Sequence, residues 1–125
     1  MKSNCKLAFA AVCAFVSLSA GPASANDVEI VDATARKSGD TWTFSVTLQH
    51  EDTGWDHYAD LWQVYTPEGT LLGERVLLHP HVDEQPFTRS LSGVVIPNDV
   101  SEVIIRARDT VHGTAPQEYS LPLPR

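Results

Sequence analysis

The chain has 125 residues with 16 acidic against nine basic side chains, and its formal charge of −7 disfavours nucleic acid and anionic membrane surfaces as partners, because phosphate contacts need a basic face. Both cysteines, Cys5 and Cys13, precede residue 26, and Met1 is the one methionine. Beyond residue 25 there is therefore no thiol, no disulfide and no soft ligand set for copper(I).

Residues 1–25 read as an export signal. Lys2 and Lys6 supply the positive start, an apolar run over 7–18 follows, and Ala23-Ser24-Ala25 is a small-residue cleavage site, so the mature chain is predicted to begin at Asn26. The apolar run is too short for a hydrocarbon core of about 30 Å, and no other segment approaches the roughly 20 apolar residues of a spanning helix. Val12 stands before Cys13 where lipid attachment wants a small residue, which argues against a lipoprotein. The expected product is periplasmic or secreted, spans no membrane, and is a single domain over 26–125. Loss of Lys2 and Lys6 leaves seven basic residues against 16 acidic ones, a charge of −9. That excess is compatible with cations or basic partners as well as with solubility alone.

After residue 26 apolar and polar side chains alternate with period two, and turn signals recur about every ten residues, the pattern of short β-strands. The first strand is predicted over 27–36, ending at Lys37-Ser38-Gly39-Asp40. The second, 41–49, places Trp42, Phe44, Val46 and Leu48 on one face, and His50 continues that inward parity as a cap on the core. A third strand over 57–65 ends at Thr66-Pro67-Glu68-Gly69, a tight-turn sequence. The fourth covers 70–78. The fifth, 87–96, sets Phe87, Leu91 and Val95 against Thr88, Ser90 and Ser92, and stops at Pro97-Asn98-Asp99. The sixth, 102–109, points Val103, Ile105 and Ala107 inward, and the last, 118–123, carries Pro122, which suits an edge. Seven antiparallel strands without a helix predict an all-β Greek-key sandwich of the immunoglobulin or fibronectin type III kind, with Trp62 or Trp42 as its large core aromatic.

Topology then places the chemistry. In such a sandwich successive connections alternate between two poles, so the loops over 50–57, 79–86 and 109–117 share one end, and they hold all five histidines. Strand parity carries Asp60 inward with Trp62 and Val64, Asp109 inward with Ile105 and Ala107, and Arg89 inward with Phe87 and Leu91. Two buried aspartates need partners, and a structural aspartate–arginine network is one reading of that end. The other is a metal site: His57, His79, His81 and His112 as ligands, with Asp60, Glu84 and Asp109 orienting them, suited to zinc, copper(II) or nickel. Clustered imidazoles also allow a pH-dependent loop. Trp55 and Tyr58, beside these loops, offer a surface for a protein or glycan partner. No G-x-S-x-G elbow or other nucleophile motif is present, so no enzymatic activity is expected.

The motifs Gly54-Trp55-Asp56-His57-Tyr58-Ala59-Asp60-x-Trp62, His79-Pro80-His81-x-x-Glu84-Gln85-Pro86-Phe87-Thr88-Arg89 and Asp109-x-x-His112-Gly113 resemble those of small exported bacterial proteins of unknown function with a sandwich-like domain. The resemblance covers most of the mature chain and implies the fold but no activity. The expectation from the sequence is thus a monomeric, exported, non-enzymatic binding protein, with a divalent metal at its histidine pole or a protein or glycan docked there.

Overall fold

A computed structural model describes residues 26–125; the export signal expected over 1–25 lies outside the described residues. Eight strands are formed: β1 (Glu29–Ser38), β2 (Thr41–Gln49), β3 (Ala59–Tyr65), β4 (Leu71–Val76), β5 (Phe87–Val94), β6 (Glu102–Asp109), β7 (Gly113–Thr114) and β8 (Tyr119–Pro122). All pairings are antiparallel, in two sheets. One has the order β1-β2-β5; the other runs β4-β3-β6-β7, with β8 also paired to β6. There is no helix among the described residues, so none is long and apolar enough to cross a membrane.

Eight strands stand where seven were expected because the 109–117 segment makes a strand of its own. Gly113 adopts φ 75°, which lets the chain reverse and pair Gly113 with Asp109 and Thr114 with Arg108.

β2 shows how composition becomes packing. Its alternating side chains Trp42, Phe44, Val46 and Leu48 are all buried, and His50 follows them inside. Its other face forms a hydroxyl ladder with β5, pairing Thr43 with Ser92, Ser45 with Ser90 and Thr47 with Thr88 at 3.3, 3.1 and 2.7 Å. Opposite β2, β3 and β6 contribute Trp62, Val64, Val103, Ile105 and Ala107, so both candidate tryptophans lie in the one core cluster.

Two bulges overturn parity predictions. The β3–β6 register slips between Ala59 and Leu61, leaving Asp60 as the extra residue. Ala59 takes the inward place, and Asp60 turns to the outer face, where Arg108 donates Nε and Nη2 to it at 3.1 and 2.8 Å. In β5 the register slips opposite Trp42/Phe44, with Gly93 at φ 74°, so Val94 is buried and Val95 is 66% exposed.

Candidate metal centre

The loops 50–58, 77–86 and 110–112 meet at one end of the two sheets. Backbone and hydroxyl bonds tie the first to the third: Thr110 N–H donates to the Tyr58 carbonyl at 3.0 Å, and Tyr58 N–H to Thr110 Oγ1 at 3.2 Å. Gln85 ties the first to the second, accepting from His50 N–H at 3.0 Å and donating to the His81 carbonyl at 2.9 Å.

Asp109 is the centre of one cluster. It is 1% exposed at the inward end of β6, as its parity predicts. Its Oδ1 accepts the N–H groups of Val111 and His112 at 2.8 and 2.7 Å, and the His112 ring lies 3.2 Å from both oxygens. Burial alone would push this carboxyl up. The backbone N–H of His112, that of Val111 and the His112 imidazole together outweigh burial and hold Asp109 below the ordinary value, so it is an anion.

Two further imidazoles face that anion. His57 Nε2 lies 3.3 Å from Asp109 Oδ1 and His50 Nε2 lies 3.8 Å from Oδ2. Ligands of a tetrahedral ion with bonds near 2.1 Å are about 3.4 Å apart, so these separations are close to those of a coordination shell. One ligand atom each from His50, His57 and Asp109 falls within 4.8 Å of the others, and Asp27, Asp109 and His112 form an overlapping trio at the same spacing. His57 is placed by a turn in which Thr53 N–H donates to its carbonyl and its own N–H donates to the Gly54 carbonyl, at 3.0 and 3.2 Å. Its Nε2 is sealed from solvent without a hydrogen-bond partner.

Asp52, which sequence reasoning missed, organises the pole. It is 4% exposed, and its Oδ1 accepts from His50 Nδ1 at 2.5 Å and from Ala59 N–H at 3.0 Å, while Oδ2 accepts from His81 N–H at 2.7 Å. His50 Nε2 meets the Asn26 carbonyl at 2.9 Å. The arrangement is a carboxylate–histidine pair aimed at Asp109, the orienting unit that commonly backs a metal-bound imidazole.

His79 and His81 form a second group. Their rings are 4.7 Å apart, and neither shares a trio of ligand atoms with His57 or His112 among the described residues. His81 is buried and stacked on Phe87 at 3.9 Å; Arg89 Nη2 donates to its Nε2 at 2.7 Å. Since Arg89 can only donate, His81 is neutral with its hydrogen on Nδ1. Burial first, then the charge of Arg89, pull its pKa below the ordinary value. His79 is exposed and bonds locally to the Pro80 carbonyl. Glu84 lies 3.6 Å from Arg89 and 4.0 Å from His81, on the outside. The expected aspartate–arginine network beneath the histidines is thus replaced by two separate groups, Arg89 with His81 and Glu84, and Asp60 with Arg108. Trp55 is 66% exposed and packs edge-on to Tyr58 at 5.6 Å.

Of the predicted ligands, then, His57 and His112 meet around Asp109, whereas His79 and His81 stand apart. His50 and Asp27 join the first group. His50 was legible as an inward residue through β2 parity; Asp27 and Asp52 lie in irregular backbone, where parity says nothing.

No protein-family model matches the chain. A protein of Halomicrobium mukohataei named "Putative lipoprotein" is 44% identical over 88 residues, which is 70% of this chain and 43% of that protein, so the chain spans less than half the length of that relative. The crystal structure of a hypothetical protein from Pyrococcus horikoshii superposes with a TM-score of 0.52 at 13% identity, over 79% of this chain and 90% of that one, a likeness of fold alone. Neither name states a substrate or a reaction.

Proposed function

We propose that this is an exported, non-enzymatic binding protein that holds a divalent transition-metal ion between His50, His57 and Asp109. The observation that carries the proposal is the buried, unpartnered Nε2 of His57 facing the Asp109 anion at 3.3 Å, with the Asp52-backed ring of His50 on the other side. Two imidazoles and a carboxylate suit zinc, copper(II) or nickel, and Asp27, Asp109 and His112 form a second trio that shares Asp109 with the first. The name of the Halomicrobium relative supports export, with or without a lipid anchor. The strand order β1-β2-β5 facing β4-β3-β6-β8 supports a Greek-key sandwich of the immunoglobulin or fibronectin type III kind, with β7 as an addition.

Calorimetric titration of the purified protein with Zn²⁺ and Cu²⁺ tests the site. Wild type and a His79→Ala/His81→Ala variant bind one ion with micromolar or tighter affinity, and His57→Ala loses at least about tenfold. Absent binding, or equal binding by His57→Ala, overturns the proposal. A second reading, recognition of a protein or glycan, draws on the exposed Trp55 against Tyr58; binding of such a partner that is lost in Trp55→Ala and indifferent to metal would favour it.

A further inference from the structure

The start of the described chain is pinned onto the metal centre. Asn26 offers its carbonyl to His50 Nε2 at 2.9 Å, and the carboxylate of the next residue, Asp27, falls in the trio with Asp109 and His112. Val28 and Ile30 are each 2% exposed, and Gln117 clamps Ile30, donating to its carbonyl at 3.0 Å and accepting its N–H at 2.7 Å. Backbone bond lengths keep a residue's own nitrogen and carbonyl oxygen within about 3.6 Å of each other, so the nitrogen of Asn26 lies within about 6.5 Å of His50 Nε2. Ala23-Ser24-Ala25 puts the expected export cleavage at that very bond.

Cleavage changes the chemistry of that nitrogen. In the uncleaved chain it is an amide whose lone pair is delocalised into the Ala25 carbonyl, and it is a poor ligand. Hydrolysis adds water across the Ala25–Asn26 bond, leaving a carboxylate on Ala25 and a primary amine on Asn26. We propose that this cleavage completes the metal centre: the Asn26 amine, with its own carbonyl in a five-membered chelate, joins His50, His57 and Asp109 around the ion. The inference rests on the metal-binding reading above and deepens it. Loading then belongs to the processed, exported protein, because the precursor lacks one donor nitrogen.

The test uses the full chain expressed with its leader and recovered after export. A second form carries one extra alanine between Ala25 and Asn26, so that cleavage leaves the amine one residue further from the centre; intact mass establishes both termini. Titration with Cu²⁺ by calorimetry, together with the copper electron paramagnetic resonance spectrum, gives an affinity at least about tenfold weaker for the extended form, with one fewer nitrogen in its hyperfine pattern. His57→Ala weakens both forms. Equal affinity and identical spectra, or a processed terminus other than Asn26, overturn the amine's role while leaving the histidine–aspartate centre standing. Absence of binding by either form overturns both.

Discussion

Asp52 shows what one buried carboxylate can hold. Its two oxygens accept from a side chain and two backbone N–H groups drawn from the 50–58 loop, the start of β3 and the 77–86 loop. Asp52→Ala strands the Ala59 and His81 N–H groups and leaves His50 Nδ1 without its partner, and we expect a loss of about 3–5 kcal/mol in urea-unfolding free energy. Asp60 is the contrast. Its partner Arg108 is 45% exposed, so Asp60→Ala should change the same measurement by less than about 1 kcal/mol despite the bidentate geometry. His81 gives the pH dependence. Its folded-state pKa lies below the ordinary 6.5, so folded and unfolded chains are equally neutral at this ring well above 6.5. As the pH falls through 6.5 the unfolded ring takes a proton and the folded ring does not, and stability is lost down to the folded value. The decline in urea midpoint between about pH 7.5 and about pH 5.5 should therefore be smaller in His81→Gln, which keeps an acceptor for Arg89 but cannot titrate. An equal decline in both would assign the acid sensitivity to other groups.

At the scale of the strands, legibility followed regularity. The eight-residue and nine-residue strands β6 and β2 keep one period throughout, and every inward residue named on them, from Trp42 to Leu48 and from Val103 to Asp109, is buried. Parity failed where a bulge intervenes: Asp60 and Val95 each lie at or past a register slip. A bulge costs the alternation one residue, and only Gly93, with its positive φ, left a mark of it in the sequence. The gathering of the histidine loops was legible because it follows from the order of strands alone. Their division into two groups was not, since it depends on Asp52 in irregular backbone. β4 adds a packing test. A Cβ on Gly73 would approach Leu91 Cδ2 at 3.0 Å and Val94 Cγ2 at 3.2 Å, where β4 passes close to β5 of the other sheet. Gly73→Val should destabilise by about 1–3 kcal/mol through overpacking, despite valine's preference for strands, as read by thermal or urea unfolding.

For the molecule as a whole, a core shared by two sheets and unstapled by disulfides carries stability, while polar work is concentrated at one end. That end presents a buried anion, Asp109, to imidazoles from two different loops and to the residues that open the described chain. An ion bound there would link the β2–β3 connection, the β6–β7 connection and the segment before β1, and would raise the unfolding midpoint in proportion to the logarithm of free metal above its Kd. The most direct measurement is an anomalous difference map at the zinc edge from crystals of the protein grown with Zn²⁺. A single strong peak about 2.1 Å from His57 Nε2 and from an Asp109 oxygen is the predicted result. A map without a peak there, or with its density on His79 and His81, would contradict it.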